Sequence, residues 1–218
     1  MISSLDIEDL LGARGEFSST AARIPWRQIV ILLAACGALH GMAMGCRSGN
    51  LLQLPLSAIK IPLLIAVSTS ICIPSLFAVA TISGLRQDFP AVLRAILASQ
   101  ATVAVSLCCL SPLLFLLYAS TSDYTTTKLF NAGLFLVASL AGQITLQKHY
   151  RDLVARDPRH IQGRRMWWFL YVLVTIQLAW VLRPFIGAPG MPMQLFREDA
   201  WGNAYVEIYG SILQMLRS

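Results

Sequence analysis

Charge is the scarcest commodity in this 218-residue chain: only 13% of its residues are Asp, Glu, Lys or Arg. Soluble domains carry roughly 25%, so an ordinary water-soluble fold is excluded. Asp and Glu are missing altogether from the five longest apolar stretches. That removes the paired carboxylates on which acid–base catalysis and the usual proton relays depend. Histidine occurs three times, and His149 and His160 lie in a basic loop rather than in an apolar stretch. No Gly-x-Ser-x-Gly, His-Glu-x-x-His or phosphate-cradling glycine loop is present, so the chain reads as non-enzymatic. The five cysteines, Cys36, Cys46, Cys72, Cys108 and Cys109, form no C-x-x-C pair and no zinc-spaced array. They read as small buried hydrophobes.

What fills the chain is apolar sequence. The mean hydropathy is +0.63 and 56% of residues are hydrophobic. Five stretches, Gln28–Gly45, Ile61–Ile82, Ala91–Tyr118, Lys128–Leu146 and Met166–Leu182, are each long enough to cross a bilayer. Backbone in lipid must satisfy its own hydrogen bonds, so the spans must be helices. The expected fold is an all-α polytopic bundle of about five transmembrane helices over residues 27–182, the bilayer being its first partner. Residues 1–26 precede it, and 183–218 follow as a Pro/Gly segment and an amphipathic helix. Ser3–Leu11 carries a helix-start pattern ahead of a linker over Gly12–Ala22. Ala91–Tyr118 exceeds a perpendicular crossing, which predicts tilt, projection or a bend at Ser111-Pro112.

The formal charge of +6 is no nucleic-acid signal, because the basic residues sit at span ends. With the N-terminus inside, Lys and Arg divide eleven to six in favour of the inner side, six of them in the 148–165 loop. Five spans then put the C-terminus outside a cell membrane. Trp167, Trp168 and Trp180 stand where an interfacial belt would place them.

Several constellations carry the functional reading. Gly37, Gly41 and Gly45 recur at four-residue spacing, the signature of closely packed helices within a bundle or between copies. Cys36, His40 and Met44 share the neighbouring stripe of that span. Thiol, imidazole and thioether suit copper or haem, with a plain buried histidine as the alternative and no cofactor the simpler expectation. Lys60, Arg183, Arg197, Glu198 and Asp199 all fall on the outer side, as one charged cluster or as snorkelling surface groups. Pro62 and Pro74 interrupt the second span, and Ser68, Thr69 and Ser70 lie between them. A carbonyl freed by either proline is a place for an ion or a hydroxyl. Arg94, Gln100, Gln143 and Gln177 read as interhelical hydrogen bonders.

Two stretches, Ser57-Ala-Ile-Lys-Ile-Pro-Leu-Leu64 and Leu182-Arg-Pro-Phe-Ile-Gly-Ala-Pro-Gly-Met-Pro192, resemble those of a group of bacterial multi-pass membrane proteins. The resemblance runs from the second span onward. It implies a bacterial cytoplasmic membrane location and this helix order, and no activity. The leading expectation is therefore a subunit or scaffold of a membrane assembly, with a membrane-protein partner or a second copy. A small-solute or ion transporter beside the proline-broken span comes next, and a metal- or haem-binding redox subunit third.

Overall fold

The computed structural model describes residues 26–48, 52–121, 123–183 and 185–186. The expected N-terminal helix, the C-terminal amphipathic helix, and Arg197, Glu198 and Asp199 lie outside the described residues. Those described are all helical, with no strand among them. The helices are α1 (Trp26–Gly45), α2 (Gln53–Ile82), α3 (Phe89–Ser120), α4 (Tyr124–Arg156) and α5 (His160–Val181).

Four of the five, α1 to α4, are long and apolar enough to cross a membrane. The fifth falls short by composition. Its first turns carry His160, Gln162, Arg164 and Arg165, leaving about 24 Å of apolar helix against a hydrocarbon core of about 30 Å. By contrast α2, at 30 residues, begins eight residues before the expected start at Ile61, so Lys60 and Pro62 lie inside a continuous helix.

The surface is inverted relative to a soluble protein. Large apolar side chains such as Val30, Ile31, Leu116, Leu136 and Ile144 point outward, each more than half exposed. His40, Ser57, Lys60, Ser68, Ser99 and Gln100 point inward and are buried. Water would not tolerate so much exposed hydrocarbon, whereas lipid requires it.

Consecutive helices run in alternating directions, and hydrogen bonds at both ends fix this. At the far end, where α1 finishes, Arg47 Nη1 donates to Thr121 O at 3.3 Å and Tyr118 OH donates to Met44 O at 3.4 Å. At the near end, Arg159 Nη1 donates to Ser83 O at 2.8 Å, and His160 Nε2 lies 3.1 Å from Asp88 Oδ2. Local chemistry makes the turns. Gly84 takes a positive φ of 74° after α2, with Leu85 N–H reaching back to Ala80 O and Gly84 N–H to Thr81 O. That is the paired reverse bonding of a glycine-terminated helix. Asp123 caps α4 by accepting from Thr126 N–H at 2.6 Å.

The packing order is α5–α2–α1–α3–α4, because α1 inserts between α2 and α3. Glycine allows this. A Cβ at Gly41 would run into Ser57 O, one at Gly45 would lie 3.1 Å from Gln53 O, and one at Gly37 would lie 3.1 Å from the Pro62 ring. The stripe is thus occupied by α2, with the Pro62 ring seated against Gly37. Gly142 does the same for α4 on α3, where a Cβ would lie 2.5 Å from Val103 Cγ2. In lipid this close approach supplies the van der Waals and polar contacts that hold helices together. One core in the far half joins Met44, Ile61, Ile65, Leu107 and Leu134 with Ile186. A second in the near half joins Cys72, Leu76, Ile96, Leu146 and Trp167.

Candidate functional site

Three groups of buried polar side chains stand inside the bundle. The first is at mid-depth between α2, α3 and α5. Tyr171 OH of α5 donates to Gln100 Oε1 of α3 at 2.8 Å, which fixes the orientation of that amide. Thr69 of α2 and Thr175 of α5 flank the same phenol. Thr69 spends its proton on Ile65 O at 2.7 Å. Thr175 Oγ1 in this group, and Ser68 Oγ one position before Thr69 on α2, are buried atoms with no hydrogen-bond partner among the described residues. Buried polar groups are rarely left this way, and those that are mark strain, water or a ligand position. The floor of the cluster is aromatic, since Trp167 stacks on Tyr171 at 5.4 Å with an interplanar angle of 21°.

Pro62 and Pro74 bracket this point on α2. The hydroxyls of Thr69 and Ser70 bond Ile65 O and Ala66 O, the i−4 carbonyls of ordinary helix.

Lys60 belongs to the second group and has no exposed surface at all. It follows Gln53 and Ser57 on the inward stripe of α2 and precedes Ser68 by two turns. Gln53 Nε2 donates to Ser57 Oγ at 3.2 Å, and Ser57 Oγ donates to Phe185 O at 2.8 Å. The chain after α5 thereby closes over the far end of α2. Lys60 is therefore covered by protein rather than displayed on the surface. Arg183 behaves in the opposite way. It is exposed and stacks over Trp180 at 4.9 Å.

The third group centres on His40, fully buried between α1, α3 and α4. Its Nδ1 lies 2.9 Å from Ser111 Oγ, and its ring meets Phe135 edge-on at 5.6 Å. Ser111 gives its single proton to Leu107 O at 3.0 Å. Its oxygen therefore accepts from His40, and the imidazole carries its proton on Nδ1. Nε2 is left as a lone pair with no partner. Cys36 lies against Cys108 of α3, and Met44 is buried one turn beyond His40. Among the described residues no three His, Cys, Asp or Glu side chains converge in a way that could hold a metal ion. On this α1 stripe, Cys36 and His40 both touch α3, through Cys108 and Ser111.

No protein-family model, curated protein or solved structure matches this chain. The reading therefore rests on geometry.

Outside the spans, the near-end loop between α4 and α5 is an electrostatic clamp. Asp157 accepts from Arg159 at 2.7 Å, and hydrogen bonds from that guanidinium and from the Arg159 backbone hold its carboxyl down at about pH 2. The same arginine reaches Ser83 O at the end of α2. The 148–165 segment is thus two helix ends and a short turn, with Lys148, Arg151, Arg156, Arg159 and Arg165 exposed.

Sequence reasoning singled out Ser68, Thr69, Lys60 and Gln100 separately; the bundle buries the first three on α2 and brings Gln100 of α3 to the same phenol as Thr69. It overlooked Tyr171 and Thr175. Their i, i+4 spacing within an apolar run was the available signal, since two polar groups one turn apart share a face.

Proposed function

We propose that this chain is a component of a membrane pathway for a small polar solute or ion, running along the inward stripe of α2. One observation carries the reading: the hydroxyl and amide groups of Thr69, Gln100, Tyr171 and Thr175 meet at mid-depth between three helices, beside a span bracketed by prolines, and the Thr175 oxygen lacks a hydrogen-bond partner among the described residues. Polar groups at mid-bilayer are expensive to maintain, and helices interrupted by proline are where transporters place their sites. The buried Lys60 on the same stripe adds support. So does the skew of cations. Arg27, Arg86, Arg94, Lys148, Arg151, Arg156, Arg159, Arg164 and Arg165 lie toward the near end, which favours that end as cytoplasmic. In this arrangement α5 completes the crossing as a fifth span, its shortfall met by local thinning of the bilayer.

A scaffold or assembly-subunit role draws less from the geometry. The glycine stripe that would join two copies is taken up by α2. The metal or haem role finds no group of three His, Cys, Asp or Glu side chains among the described residues to support it.

A liposome swelling assay tests the proposal. Purified protein in vesicles should raise permeability to some member of a panel of salts and small polyols. Gln100→Leu, which strands the Tyr171 hydroxyl, should lower that permeability at least several-fold. Vesicles carrying folded protein that are no more permeable than empty ones to every member of the panel would defeat the reading.

A further inference from the structure

Two thiols meet in the seam between α1 and α3, and we propose that Cys36 and Cys108 are a redox-active dithiol that a lipid-soluble quinone closes to a disulfide. Helices α1 and α3 run in the same direction. Three hydrogen bonds set their register: His40 with Ser111, the Met44 carbonyl with Tyr118, and Arg47 with the Thr121 carbonyl. One turn back from the first of these, four residues on α1 and three on α3, stand Cys36 and Cys108. Positions three or four apart share a helix face, so both side chains enter the seam that holds the His40–Ser111 bond. Their thiols interact directly across it, with Cys109 beside them. The remaining cysteines lie elsewhere: Cys72 by Tyr171 between α2 and α5, and Cys46 by Tyr118 at the far end.

Depth decides the oxidant. Cys36 stands midway along the Arg27–Gly45 span, with about 13 Å of helix on either side. Cys36 and Cys108 are half-buried and Cys109 is exposed, so the pair is reached from the flank of the bundle that hydrocarbon covers. A charged oxidant is excluded from that depth by the cost of shedding its water, whereas a quinone dissolves there. The step balances without leaving charge in lipid. Two S–H bonds break and one S–S bond forms, and the two electrons and two protons convert the quinone to its hydroquinone. Reactants and products are all neutral. The bridge would tie α1 to α3 one turn from the His40–Ser111 bond and close a loop of about 70 residues, which restricts the unfolded chain.

Reduced protein in liposomes tests this. Decylubiquinone, whose fully substituted ring forms no thiol adduct, should yield one hydroquinone for each disulfide formed. Peptide mapping without reductant should then recover Cys36 linked to Cys108, with Cys46 and Cys72 still open to alkylation. Oxidised glutathione, charged and water-soluble, should leave the pair reduced. Cys36→Ser and Cys108→Ser should each abolish the link, and Cys72→Ser and Cys109→Ser should preserve it. The linked form should melt at a higher temperature than the reduced one. Mapping in the wild-type protein carries the point even where a serine variant fails to fold. Thiols that all stay free after quinone treatment would overturn the proposal. So would a link made through Cys109 or between copies, or linking by oxidised glutathione as fast as by the quinone.

Discussion

His40 Nδ1 and Ser111 Oγ stand 2.9 Å apart across the α1–α3 seam, both in buried side chains 71 positions apart in sequence. The bond ties the helix that inserts into the bundle to the helix it separates from α2. It also sets the imidazole tautomer, because Ser111 has only one proton and gives it to Leu107 O.

A double-mutant cycle on this pair should return a coupling energy of roughly 0.6–1.7 kcal/mol, the range for side-chain hydrogen bonds between membrane helices. His40→Leu and Ser111→Ala would each destabilise the bundle, and the double variant should lose less than their sum. Unfolding in mixed micelles measures it. Strict additivity would show that the contact contributes nothing of its own.

Alanine should act in opposite directions at two glycines. Gly41→Ala places a methyl group into the Ser57 carbonyl and should cost at least the roughly 1–3 kcal/mol typical of overpacking. Gly133→Ala meets nothing within 4 Å and should be neutral, or stabilising by up to about 1 kcal/mol through helix propensity. The same unfolding assay compares the two. Equal effects would show that α1 is not seated on α2 as described.

The clamp between α4 and α5 has a defined acid limit. Arg159 lowers the Asp157 carboxyl to about pH 2, below its ordinary value near 3.9. A lowered carboxyl stabilises the folded form above its ordinary range, and that contribution fades as pH falls from about 4 through 2. Titration of the Asp157 carboxyl by carbon NMR should give a midpoint near 2, and Arg159→Ala should return it toward 4. A midpoint near 4 in the native protein would remove the clamp.

Orientation is open to thiol chemistry. Cys46 is exposed at the far end, and Arg159→Cys would add a thiol exposed at the near end. In a background lacking the other cysteines, an impermeant maleimide on intact cells should label Cys46 and spare position 159. Labelling of both from one side would break the alternation of helices across the membrane.

Much of the site was legible in the residues, though in pieces. Lys60 stood out because an ammonium within an apolar run is costly anywhere, and Gln100 because a lone amide in a span needs a partner. The glycine stripe announced a close approach. That its partner was α2, with Pro62 against Gly37, could not be read, because four-residue spacing marks a face and names no neighbour. Lys60 also misled. Its position beside a proline read as the start of a span, where lysine reaches headgroups, but α2 starts at Gln53 and the stripe turns Lys60 inward.

The sequence by itself determined the solvent and the secondary structure. Long apolar runs without acidic residues belong in lipid, and backbone in lipid has to close its hydrogen bonds within helices. Tertiary structure alone decided the order of packing, with α1 between α2 and α3, and the convergence of Thr69, Gln100, Tyr171 and Thr175. The physical reason is that lipid is as apolar as the side chains it touches, so hydrophobicity drives insertion without choosing neighbours. That choice falls to the fit of small residues and to hydrogen bonds between positions far apart in the chain.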